Sequence, residues 1–114
     1  MEKLKMKISK EFSTAPGPRY IKEGNWSGEL FRKEYLSPRI IEALKSESTL
    51  EIDLDGTSGY GTSFLEEAFG GLVREEGLDY HKILNHLSFI SKEEEYLIDD
   101  IKNYLLDASK KTKK

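Results

Sequence analysis

The segment from Asp53 to Glu67, DLDGTSGYGTSFLEE, concentrates the side chains best suited to chemistry. Asp53 and Asp55 stand two apart at the end of an alternating run. Such a pair can serve as nucleophile and general acid when Mg²⁺ neutralises both carboxylates. Gly56 to Ser63 then reads G-x-x-x-x-G-T-S, which approaches the glycine-rich loop that cradles nucleotide phosphates. Thr62 stands where that loop needs its Lys, and Asp53, Asp55, Glu66 and Glu67 add repulsion, so nucleotide hydrolysis is disfavoured. Thr62 and Ser63 place two hydroxyls at a helix start. Ser63 and Glu66 have the spacing of a capping box, which makes Ser63 the expected helix cap and Thr62 the free hydroxyl. Turn chemistry alone also accounts for Asp55 and the glycines.

Outside this segment the signals are weaker. His81 and His86 have no carboxylate or Cys at metal-ligand spacing, and the expectation is no metal site there. Trp26 is either an exposed partner anchor or a hydrophobic staple onto Phe31. Arg19 and Tyr20 follow a Pro-Gly-Pro turn, where an anion contact competes with packing over a sheet edge.

The string Asp53-Leu54-Asp55-Gly56-Thr57 resembles the first motif of haloacid-dehalogenase-type phosphatases. That resemblance implies Asp53 as nucleophile, Asp55 as general acid and Mg²⁺ between them. The motif opens a longer domain in that family, whereas here it lies near the middle of 114 residues. The acidic pair Asp99-Asp100 falls on an amphipathic helix rather than after a strand. A small Mg²⁺-dependent phosphohydrolase is therefore the alternative reading.

The elements that must position these residues alternate. Residues 3–9 put Leu4, Met6 and Ile8 on one face and lysines on the other, an edge strand. Residues 13–25 are a loop, with Arg19 to Lys22 a possible second strand. Ser27 caps a helix carrying Leu30, Phe31, Tyr35 and Leu36 inward. Ser37-Pro38 is either a fresh cap or a kink in that helix. Residues 49–55 alternate as a strand and lead into a glycine turn. A helix over 63–76 buries Phe64, Leu65, Ala68, Phe69, Leu72 and Val73, with Gly70 and Gly71 marking a close approach to the sheet. Gly77 stops it, and Asp79 caps a short turn. Residues 86–90 form another strand. Ser91 and Glu94 open a final helix burying Leu97, Ile101, Tyr104, Leu105 and Ala108. This order predicts an α/β domain over residues 1–109: a mixed sheet of about four strands, one edge antiparallel, with helices packed on it.

Composition narrows the class. The chain has no Cys, which excludes disulfides and thiolate zinc sites. Acidic residues number 21 against 18 basic ones, and four of the 18 crowd into KKTKK at 110–114, a basic tail expected to be disordered. The acidic body disfavours nucleic acid. No apolar run reaches the length of a membrane span, and no signal peptide is visible. The expectation is a soluble cytoplasmic protein without a cofactor.

Ser27-Gly28-Glu29-Leu30-Phe31 and DLDGTSGYGTSFLEEAFGGLVRE, together with FSTAPGPRY at 12–20, resemble the STAS-like domain family of unknown function over roughly residues 5–107. Members are small bacterial and phage-associated proteins, often encoded near histidine-kinase-type ATPases. The resemblance implies a non-catalytic regulatory module that switches partners. In the anti-sigma-factor antagonists that carry STAS domains proper, a helix opens with D-S-S-G and its first Ser is phosphorylated by an ATPase-fold kinase. Laid on this chain, Gly61 takes the Asp position, Thr62 the acceptor, Ser63 the second Ser and Phe64 the Gly. The resemblance thus points to Asp55, Gly59, Tyr60, Gly61, Thr62 and Ser63 as the partner-binding surface.

Overall fold

A computed structural model describes residues 3–112. Three strands, β1 (Lys3–Lys7), β2 (Thr49–Asp53) and β3 (Leu87–Ile90), form one sheet in the order β1-β2-β3. Both pairings are parallel, with Leu4 beside Leu50 and Leu50 beside Leu87. The expected fourth strand and antiparallel edge are absent among the described residues. Residues Ile21–Glu23 form a 3₁₀ turn instead of a strand. The reason is local: Pro16, Gly17, Pro18 and Gly24 interrupt any ladder, and the backbone of Pro18 and Arg19 is occupied by Gly28 and Glu29 N–H groups. The first strand ends at Lys7, because Ile8 already begins α1 (Ile8–Glu11).

Each connection returns parallel to its predecessor and so needs a helical crossover. The first runs through α2 (Gly28–Phe31), a π segment Arg32–Leu36 and α3 (Ser37–Ser46), one continuous helix over 28–46. Ser27 caps it, its Oγ accepting from Leu30 N–H at 3.0 Å. Ser37 is buried and caps nothing. Pro38 lacks an N–H and its ring opposes the carbonyl one turn earlier. The wide turn just before it, in which Ser37 N–H reaches Arg32 O, carries the helix past that obstacle. The second crossover runs through α4 (Thr62–Leu65), a π segment Glu66–Gly70 and α5 (Gly71–Arg74), continuous over 62–74, then α6 (Tyr80–Asn85). Gly77 stops it at φ +72° and Asp79 caps α6, accepting from Lys82 N–H. The last helix, α7 (Tyr96–Thr112), packs on the 62–74 helix. Lys110 and Lys111 belong to α7, not to a disordered tail, and residues 113–114 lie outside the described part.

The core lies between the helices and one sheet face. Met6, Leu50 and Ile52 meet Phe31, Leu36, Ile40, Phe64, Phe69 and Leu72 there. Alternation sends Lys3, Lys5, Lys7, Thr49, Glu51, Asp53, Ser88 and Ile90 to the other face, where Lys3–Glu51 and Lys7–Asp53 pair at 3.2 Å. The sharpest helix contact is at Gly28, where a Cβ would lie 2.4 Å from the Phe64 carbonyl oxygen. Backbone cannot yield as a flexible side chain can. Gly28→Ala should therefore cost about 1–3 kcal/mol by overpacking. Gly61→Ala, at φ −75° with nothing within 4 Å, should stay within about 0.5 kcal/mol of the parent. Urea unfolding of the two variants checks the contrast.

Candidate functional site

β2 delivers its carboxylates to the C-terminal end of the sheet, where α/β folds place their ligands. Asp53 does not stay free there. Its Oδ1 accepts the Asp55 N–H at 2.9 Å and its Oδ2 pairs with Lys7 Nζ at 3.2 Å. Asp55 turns the other way, and its two oxygens accept the Lys92 and Glu93 N–H groups, each at 3.0 Å. Glu93 reciprocates by accepting the Gly56 N–H at 2.8 Å. These backbone donors, from Glu93 and then Lys92, hold the Asp55 carboxyl below the usual carboxylate range. The pair thus closes a loop against the segment entering α7. Among the described residues no group of three or more His, Asp or Glu side chains is placed to hold a metal.

The rest of the loop is pinned from inside. Tyr60 Oη donates to the Leu54 carbonyl at 2.8 Å, and its ring packs on Phe64 at 5.9 Å. Burial pushes the Tyr60 hydroxyl well above its ordinary range, so it remains a donor. Thr57 Oγ1 accepts the Gly59 N–H at 3.2 Å, and Ser58 N–H reaches the Thr14 carbonyl at 2.8 Å. Gly59 sits at φ +131°, which a side chain rarely adopts. Gly61 then becomes the N-cap of the 62–74 helix.

That start corrects the capping box. The helix begins at Thr62, one residue before the expected position, so Ser63 lies inside the first turn and its hydroxyl caps nothing. Glu66 is drawn to Arg19 and to Arg74 at 2.6 Å. Burial favours its neutral form, yet the bonds from Arg74 and Arg19 win and its pKa is lowered. Thr62 and Ser63 are both exposed, and neither hydroxyl makes a hydrogen bond. The final helix also lacks its expected box. Ser91 Oγ donates to the Glu94 carbonyl, and α7 starts only at Tyr96.

The remaining candidates settle into structural roles. His86 Nδ1 lies 2.7 Å from the Ser48 carbonyl, and His81 stacks edge-on against Tyr80. Trp26 is 44% exposed and rests edge-on against Phe12 at 5.4 Å, with Phe12 in turn on Phe31. Arg19 reaches the 62–74 helix rather than the sheet edge.

What the sequence did not disclose is an ion-pair network beneath this surface. Arg32, 2% exposed, bonds Glu67 Oε2 at 2.5 Å, the Glu67 carbonyl at 2.9 Å and Glu76 at 3.0 Å. Burial alone would lower the Arg32 pKa, but Glu67 and Glu76 raise it. Arg19 and Arg74 add contacts to Glu67 at 3.4 and 3.3 Å. A Cβ on Gly71 would sit 2.4 Å from Arg32 Nη1, and one on Gly70 2.6 Å from Glu66 Oε2. The glycine pair makes room for charged side chains, not for the sheet. The available signal was Arg32 lying between Phe31 and Leu36 near the buried face of an amphipathic helix.

The Asp55 clamp has a pH signature. A carboxylate with a lowered folded pKa stabilises above its unfolded value of about 3.9 and loses that contribution as pH falls through the folded pKa. Asp55→Asn, whose amide presents an N–H to one of two N–H donors, should unfold at lower urea than the parent at pH 7. The gap should narrow below about pH 4, where the parent carboxyl protonates. Urea midpoints at the two pH values check this.

Compared with known families, residues 27–110 match the STAS-like domain of unknown function. The match takes in the loop, Thr62 and Ser63, while the 12–20 segment precedes it. No curated protein and no solved structure matches the chain. No helix among the described residues is long and apolar enough to cross a membrane. With most of its length matched, the chain belongs to the STAS-like domain family of unknown function.

Proposed function

We propose that this chain is a non-catalytic regulatory module. Residues 55–63 and the first turn of the 62–74 helix dock a protein partner, a cytoplasmic ATPase of the histidine-kinase type. The observation that carries the reading is the pair of exposed, unbonded hydroxyls of Thr62 and Ser63. They open the 62–74 helix directly after a loop fixed from both sides by Asp55 and Tyr60. A helix start presenting free polar groups behind a pinned loop suits recognition, because little ordering entropy is lost on binding. The first helical turn also offers unpaired N–H groups and a partial positive charge that suit a phosphate. Thr62 occupies the acceptor position of the related STAS motif. Phosphorylation there would add charge at the docking surface and release the partner. The phosphohydrolase alternative loses support because Asp53 and Asp55 serve separate partners.

Since neither hydroxyl caps the helix, Thr62→Ala and Ser63→Ala should both leave the melting temperature nearly unchanged. Thr62→Glu should keep the fold and weaken partner binding, read by calorimetry. Incubation with a histidine-kinase-type ATPase encoded beside this chain, with ATP and Mg²⁺, should place phosphate on Thr62 or Ser63 by mass spectrometry. No complex and no phosphate would overturn the proposal, as would Mg²⁺-dependent hydrolysis of p-nitrophenyl phosphate that disappears in Asp53→Asn.

A further inference from the structure

The sheet has two free edges of opposite character. β1 presents Lys3, Lys5 and Lys7, so two copies meeting there would bring six ammonium groups together, the usual protection of an edge. β3 reads Leu-Ser-Phe-Ile and carries no charge. Its backbone pairs with β2 on one side only. Leu50 N–H bonds the His86 carbonyl and Leu54 N–H the Ile90 carbonyl, each at 2.8 Å. By alternation Ser88 also faces β2, and the N–H and C=O groups of Leu87 and Phe89 point outward. No backbone or side-chain partner meets them among the described residues. All four residues of the strand are only half-buried.

A second observation lies on the same strand. Ser88 Oγ is shielded from solvent and makes no hydrogen bond, alone in this among the described residues. Such an orphan is costly and calls for a partner.

We propose that β3 pairs antiparallel with β3 of a second copy of this chain, giving a two-fold dimer with a continuous six-stranded sheet. The register follows from the outward groups. Leu87 opposes Phe89 of the partner subunit, and Phe89 opposes the partner's Leu87, so the four outward groups of each copy make four inter-chain hydrogen bonds. The two-fold axis then passes between the two Ser88 residues. They form the close, non-hydrogen-bonded pair of an antiparallel ladder, with Cα atoms about 4.5 Å apart, so each hydroxyl gains the other as partner. On the core face, half-buried Leu87 and Phe89 cover one another across the junction. A two-fold interface requires self-complementarity, and this edge has it in hydrogen bonding, in apolar contact and at the serine. The Thr62 surface lies outside the junction, so the proposal does not depend on the docking function.

Sedimentation velocity on the full chain, up to about 1 mM, tests it. The parent should self-associate as concentration rises, and the Leu87 and Phe89 amides should exchange more slowly with it. Ser88→Lys sets two ammonium groups against each other at the axis and should stay monomeric while folding like the parent by circular dichroism. Ser88→Thr should retain association, and Lys5→Glu, on the opposite edge, should leave it unchanged. A parent that remains monomeric throughout would overturn the proposal and leave the edge to a strand of another protein. Association that survives in Ser88→Lys would overturn it in favour of another face.

Discussion

The buried Arg32–Glu67 pair is the constraint around which the helical layer is arranged. Two charges this deep are costly to desolvate, and their attraction repays that cost only with good geometry and further hydrogen bonds. Both conditions hold here. Arg32 also bonds the Glu67 carbonyl and Glu76, while Glu67 gathers Arg19 and Arg74. Arg32 opens the π segment of one crossover helix and Glu67 lies in that of the other. The two widened turns face each other across the helix interface. Gly70 and Gly71, which weaken a helix by about 1 kcal/mol each, are the places where charged side chains pass close to backbone.

The same network ties the 13–25 loop to the site. Arg19 comes from that loop and grips Glu66 and Glu67, one turn beyond Thr62 and Ser63. Aromatic rings continue the connection, from Trp26 to Phe12, to Phe64 and to Tyr60, at separations of 5.4, 6.1 and 5.9 Å. The helix start that bears the exposed hydroxyls is therefore held from below by packing and ion pairs, and from the side by the Asp55 clamp.

Much of the fold was legible because its signals are local. Alternation marked β1 and β2, and residues 86–90 read as the third strand; helical spacing marked the buried faces of the 28–46 and 62–74 helices and α7; Ser27, Gly77 and Asp79 marked ends that the structure keeps. Parallel pairing of every strand was not legible, since alternation does not carry strand direction. The candidate loop was visible in its Asp, Gly and hydroxyl content, but the roles within it were not. Ser63 reads as a cap from spacing alone. Its displacement into the first turn depends on where Gly61 starts the helix, and Glu66 is taken by Arg19, remote in sequence, and by Arg74, two turns further along the same helix. Arg19 and Arg32 meet Glu66, Glu67 and Glu76 only after folding, so no short motif announces them.

Thermal and urea unfolding of Arg32→Met, alone and combined with Glu67→Leu, shows whether this pair holds the two crossover helices together. If the pair holds the two helices, removing Arg32 alone leaves the buried Glu67 Oε2 and Glu67 carbonyl without their donor, which Arg19 and Arg74 on Oε1 do not replace, and costs about 3–5 kcal/mol, while the apolar double replacement brings most of that stability back. A single variant within about 1 kcal/mol of the parent, or a double variant whose losses simply add, would contradict it.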